Sequence, residues 1–362
     1  MKRKHLIFVV LLLFFCACEE KNQPEQPADG QTSISCTPIT KTVTNANEQF
    51  IVTLKSNAPW SATVDQAWVS ISPNNGQGDA YVTIKTLGAC GVANVLFSNG
   101  KGSTTFTIMH EEYSVGASKK VQFSRGNLQY QARSDTWRFA ANQYDFIFNN
   151  NTPFYHIPYS YDDWIDLFCW GTGDNPMKYS FSNYDFNVFV DWGTNAISNG
   201  GNKANLWRTL TEDEWTYLLC ARKNAANLFG LGNVNGINGL IILHDNWITP
   251  SGLTFLASTT LGLENIGDRY YNNNNYGNFS HNTYTLDQWS TMETAGAVFL
   301  PAAGGGYGTD VTDMGYGGWY WSSIPDGNAE AFVFSFNDVY LWWKSSVRRS
   351  TRLPVRLVKD IE

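Results

Sequence analysis

Between residues 49 and 109 the chain alternates apolar and polar residues in short runs, and a turn signal closes each run. The segment 49–55, Gln-Phe-Ile-Val-Thr-Leu-Lys, has the two-residue period of a strand, and Asn57-Ala-Pro-Trp60 breaks it. Residues 60–64 and 68–72 follow, 73–78 is a turn, and 80–85 and 104–109 are further strands. Strands this short, at regular spacing, predict a β-sandwich over residues 34–112 and leave no room for a helix. Aromatic residues make up 15% of the 362 and there are 31 glycines, which extends the expectation of short strands and tight turns to the rest of the chain. Disordered chains lack aromatics, so disorder throughout is excluded. The net charge of −7 excludes the basic footprint of a nucleic-acid partner.

The first residues read as an address. Lys2, Arg3 and Lys4 precede an apolar run from 6 to 15, too short to span a bilayer, as in a secretory signal peptide over 1–17. Ala17-Cys18 resembles a bacterial lipoprotein processing site, which implies a lipid on Cys18 and attachment to the outer membrane. Glu19 and Glu20 resemble the surface-export signal of Bacteroides-type lipoproteins. Residues 18–33 are mostly Gln, Pro, Glu, Asp and Gly, the composition of a flexible tether. Cys36, Cys90, Cys169 and Cys220 show no CxxC spacing, so nothing points to zinc or a thioredoxin-like motif. A Cys36–Cys90 disulfide and two isolated thiols both stay open.

Within 34–112, Ser56-Asn-Ala-Pro-Trp60, Ala67-Trp68-Val-Ser-Ile-Ser72, Gly76 and Gly78 resemble the BACON domain, an immunoglobulin-like module. The resemblance implies a spacer. Trp60 and Trp68 are expected in its core, with stacking on sugars as the alternative.

Composition shifts over 113–362 towards aromatics, Gly and Asn. Thr211 stands three residues before Glu214, a capping box, and Trp215, Leu218 and Leu219 share one face of the helix it opens. Residues 240–243 read as a buried strand. Residues 297–304 read as a strand with a Gly-rich loop beyond it. Residues 331–336 and 340–344 form a hairpin around Asn337-Asp338. Trp207-Arg-Thr-Leu-Thr-Glu-Asp-Glu-Trp215, Phe299-Leu-Pro-Ala-Ala-Gly304, Tyr320-Trp-Ser-Ser323 and Pro354-Val-Arg-Leu-Val358 resemble the Fibrobacter succinogenes major paralogous domain. That domain belongs to the formylglycine-generating-enzyme-like branch of the C-type lectin fold. The resemblance implies an α+β domain, and it extends to the variable proteins of diversity-generating retroelements. The last forty residues look like their diversified segment.

Relatives that make formylglycine use a cysteine pair late in the domain, and no cysteine follows Cys220 here. Asp162, Asp163 and Asp191 are available for hydrolysis, but nothing in the sequence brings them together. No HExxH or HxH spacing links the histidines, and the calcium-dependent sugar motifs of C-type lectins are absent, so neither metal nor cofactor is implied. A binding surface for an extracellular glycan or protein is the expectation, with a structural or adhesion scaffold as the alternative. Aromatic rings beside Asn and Ser suit such a surface. By strand alternation Phe332, Phe334 and Phe336 point inward. Val333, Ser335 and Asn337 point outward and join Tyr340, Trp342 and Lys344, with Asn328 and Glu330 on the loop before them. The Asn-rich loop at 272–275 is the fallback site. Arg349 and Arg356 are assigned structural hydrogen bonding by the family resemblance.

Overall fold

In the computed structural model the described residues are 33–43, 47–87, 92–147, 155–157, 161–257, 264–266, 269–271 and 279–361. The expected signal peptide, lipidated Cys18, nearly all of the tether, Cys90 and the 272–275 loop lie outside them. The described residues are mostly β, with 46% strand and 11% helix.

The alternation of the first unit produces two facing sheets. One runs in the order Ile34–Thr37, Gln49–Ser56, Ala80–Thr86, Val69–Ser72. The other runs Thr40–Val43, Ser103–His110, Val92–Ser98, Pro59–Val64, Asn75–Gln77. Val52, Leu54, Val82, Ile84, Val95, Phe97 and Phe106 point between them and make the core. Each such buried side chain stabilises the fold by roughly 1.5–3 kcal/mol. Among the described residues of this unit there is no helix. Trp60 is core: it is 4% exposed, its indole N–H donates to the Gly78 carbonyl at 3.0 Å, and a Cβ on Gly76 would lie 2.8 Å from its ring. Trp68 is half-buried and meets the His110 ring edge-on at 5.5 Å. Cys36 is a buried free thiol beside Thr104 and the Thr105 carbonyl.

A polar joint follows. Thr42 donates to the Ala295 carbonyl, Asp245 N–H donates to the Glu112 carbonyl, and Lys120 pairs with the buried Glu112 at 2.6 Å. Asp245 in turn pairs with buried Arg222 at 2.9 Å.

The second unit is built around a five-stranded sheet: Glu264–Ile266, Arg269–Tyr271, Tyr340–Arg348, Glu330–Asn337, Gly317–Asp326. Residues of its last three strands enter two different cores. Tyr320, Phe334, Phe336, Leu341 and Trp343 enter one core, together with Trp215, Leu218 and Leu219. Trp321, Ala331 and Val333 enter the other, with Phe168, Trp170 and Trp192. Trp321 donates its indole N–H to the Phe168 carbonyl at 2.7 Å. A second five-stranded sheet runs Tyr155–His156, Asp310–Thr312, Gly305–Tyr307, Thr351–Pro354, Leu167–Phe168. Two α-helices are present among the described residues. Glu212–Thr216 starts at the expected Thr211–Glu214 capping box and runs on into a π turn, Tyr217–Ala221. Leu286–Thr294 has a second box, Thr285 with Gln288. With helices this short, strand outweighs helix in the second unit. The buried strand expected at 240–243 is Ile237–Ile242.

Candidate functional site: a groove between two sheets

The groove starts from a tight hairpin. Strands Gly305–Tyr307 and Asp310–Thr312 pair so that Tyr307 faces Asp310 and Gly305 faces Thr312. Tyr307 also pairs with Thr351 on the other side. Side chains directly opposite in a sheet share a face. One row therefore reads Asp310, Tyr307, Thr351, and the next reads Thr312, Gly305, with Leu353 beyond. Gly305 sits in the middle of that second row and leaves a hollow: a Cβ there would stand 2.8 Å from Leu353 Cδ2. Gly304 begins the hairpin at φ +66, and a Cβ on it would lie 2.0 Å from the Thr312 carbonyl oxygen, so only glycine fits.

Trp319 and Val347 from the five-stranded sheet close the other side, giving an open cavity of about 340 Å³. Tyr307 is 42% exposed and Trp319 half-buried, so ring surface lines the space. The rim is polar. Asp310 Oδ1 accepts from His156 Nδ1 at 3.2 Å, and Thr312 donates its hydroxyl proton to Asp313 at 3.0 Å. Phe181 stands edge-on to Tyr307, ring centres 5.3 Å apart. Rings beside a few convergent polar groups are the usual lining of a ligand pocket. Among the described residues no group of three or more His, Cys, Asp or Glu could hold a metal ion.

The face expected from strand alternation does not assemble. Val333 is 1% exposed and Ser335 0%, because the sheet lies between two cores and neither face meets water over this stretch. A break in register between Val333 and Ser335 also resets the pairing with the next strand. Phe334 and Phe336 point inward as expected, whereas Phe332 is only half-buried, with the Lys344 ammonium 5.7 Å from its ring centre. The remaining residues of that set are exposed or half-buried. Asn328 is exposed in a turn, and Glu330 accepts from the Ser346 hydroxyl at 3.0 Å. Asn337 uses its side-chain oxygen to accept from the Val339 and Tyr340 amides. Tyr340 and Trp342 are half-buried, ring centres 6.4 Å apart, and Lys344 pairs with Glu212 at 3.3 Å. None of these eight lines the groove.

Arg349 and Arg356 are 4% and 1% exposed and donate to backbone carbonyls, Arg349 to Glu330, Gly327 and Phe186, Arg356 to Ser124, Gln143 and Phe299. Asp191 caps a helical turn and accepts from Thr209, while Asp163 accepts from Gln131, so these two of the carboxylates weighed for hydrolysis serve separate local bonds. The groove residues were missed from sequence. Their one local signal was the Gly304-Gly305-Gly306-Tyr307 run, which read as a loop.

No family model and no curated protein matches the chain. Among solved structures, part of the chain is similar to a Bacteroides ovatus GH5 xyloglucanase in complex with a XXXG heptasaccharide, with 20% identity over 24% of this chain and a TM-score of 0.21. It is also similar to WR4, a C. elegans MSP family member, with 10% identity over 21% of this chain and 96% of that one, TM-score 0.20. A third is the S-layer protein SbsC, domains 4 and 5, with 21% identity over 22% of this chain and 50% of that one, TM-score 0.19. The chain spans 20% of the length of the first of these.

Proposed function

We propose that this is a non-enzymatic lipoprotein, held through Cys18 on the outer membrane and facing outward. In this reading it binds an extracellular glycan or protein in the groove between Tyr307 and Trp319. The second unit is read as a C-type-lectin-like α+β domain and the first as an immunoglobulin-like spacer of BACON type. The observation that carries the binding reading is the groove itself: about 340 Å³, open, with ring surface inside and Asp310, Thr312 and Asp313 at its rim. The anchor rests on the Ala17-Cys18 junction behind an apolar leader.

The test is to display the full chain, in detergent, to arrays of glycans and of candidate surface proteins, and to recover what binds. Retention of an intact ligand that Trp319→Ala weakens by about 1–3 kcal/mol, with the fold kept, supports the reading. Recovery of cleaved ligand overturns the non-enzymatic part, and the absence of any retained ligand overturns the binding reading. Anchoring is tested separately: Cys18→Ala should abolish metabolic labelling with a fatty acid and release the protein from membranes.

A further inference from the structure

We infer that the groove takes a neutral saccharide, one or two pyranose rings of a larger glycan. The inference rests on the groove being the ligand site, and four observations select the ligand within that reading.

Size comes first. About 340 Å³ lies at the lower end of the ~300–1,000 Å³ usual for ligand pockets. A stable protein partner covers roughly 800 Å² on each side, far more than this space offers. The second observation is ring surface. Tyr307 and Trp319 present aromatic area to the cavity, which suits a ligand with flat C–H faces.

The third is the bonding sense of the rim. The ionised carboxylates of Asp310 and Asp313 only accept, and the hydroxyls of Thr312 and Thr351 accept as well as donate. A ligand that satisfies them must be rich in donors, as a ring of hydroxyls is. Hydrogen bonds to ionised acceptors are about twice as strong as neutral ones.

The fourth is charge. Two carboxylates at the rim of a chain with net charge −7 repel uronates, sulfates and phosphates. Donor-rich, flat-faced and free of negative charge together describe a neutral pyranose, and the lysine-rich peptide below tests the cationic alternative.

The experiment titrates the full chain, in detergent, with three probe sets. These are neutral glucose-, galactose-, mannose- and xylose-based oligosaccharides, their uronate or sulfated counterparts, and a lysine-rich peptide. A neutral oligosaccharide should bind, and Tyr307→Ala and Asp310→Asn should each weaken it roughly ten- to a hundredfold. Tyr307→Phe, which keeps the ring, should retain most of the affinity. Unchanged melting temperatures separate these losses from unfolding. Preference for the acidic sugars or the peptide overturns the inference, as does neutral-sugar binding that neither Tyr307→Ala nor Asp310→Asn affects. If a purified protein ligand binds in the groove and no sugar does, the saccharide falls while the binding reading survives. If no probe and no protein binds, both fall.

Discussion

The Thr42 hydroxyl donates to the Ala295 carbonyl at 3.0 Å, a bond that ties the sandwich to the end of the Leu286–Thr294 helix 253 residues away. The next residue, Gly296, has φ +95 and stands among both units. A Cβ there would lie 3.0 Å from His244 Cδ2, 3.2 Å from Glu111 Cγ and 3.3 Å from Thr42 Cγ2. Gly296→Ala therefore adds left-handed strain to crowding. The expected cost is roughly 1–3 kcal/mol, read by urea unfolding. A variant as stable as the parent would mean that the two units separate freely at this point.

Glu111 makes the same joint sensitive to pH. Burial pushes its carboxyl from 4.5 up to about 8, with Lys359 opposing and Glu293 adding to the shift. Glu111, Arg125, Glu293 and Lys359 line one cavity of about 270 Å³ beside the joint. Because its folded value is raised, the folded protein binds the Glu111 proton more tightly than the unfolded chain does. This contribution is whole below about 4.5 and is lost as pH rises towards 8. Glu111→Gln keeps the shape without the charge. It should match the parent at pH 5, exceed it at pH 8, and flatten the slope between, as measured by urea unfolding at several pH values. Parallel slopes would contradict the assignment.

Val333 separates the two readings of the central sheet. It is 1% exposed in the second core and pairs with Trp321 on the neighbouring strand. Val333→Ala removes two methyl groups and leaves a cavity, so it should cost roughly 1.5–3 kcal/mol of stability. Ligand affinity, measured well below the melting temperature, should not change. A loss of affinity at full stability would return the site to this strand.

What the sequence made legible here was local. The Thr211–Glu214 box depends on residues three apart, and the helix begins where it says. The Thr285–Gln288 box carried the same signal for the second helix and was not read. A two-residue period tells which side chains share a face, but not whether that face meets water. Both faces of the Glu330–Asn337 strand lie against cores, so the Val333 and Ser335 side turned out dry. The groove escaped for a different reason. Tyr307, Trp319 and Thr351 belong to three strands, and only their register and packing bring them together. Glycine at 305 contributes by leaving space, which no residue pattern announces.

Phe181 offers a test of how the groove is held open. It is 61% exposed, yet its ring stands edge-on to Tyr307 at 5.3 Å and closes over the hairpin at Gly308, where a Cβ would lie 2.7 Å from it. The segment carrying it is tied down behind, by the Ser350 hydroxyl bonded to Asn183 at 2.6 Å and by Arg349 donating to the Phe186 carbonyl. An exposed ring contributes little to folding, so Phe181→Ala should shift stability by no more than about 0.5 kcal/mol. Its effect should fall on the ligand instead. Without that edge Tyr307 regains rotamer freedom that binding must then remove, and an aromatic pair of this kind is worth about 0.5–1.5 kcal/mol. Affinity for a neutral oligosaccharide should therefore drop by roughly two- to tenfold in a calorimetric titration, with a less favourable entropy of binding. An unchanged affinity would mean that the hairpin alone orients Tyr307, and that the Phe181 segment only covers it.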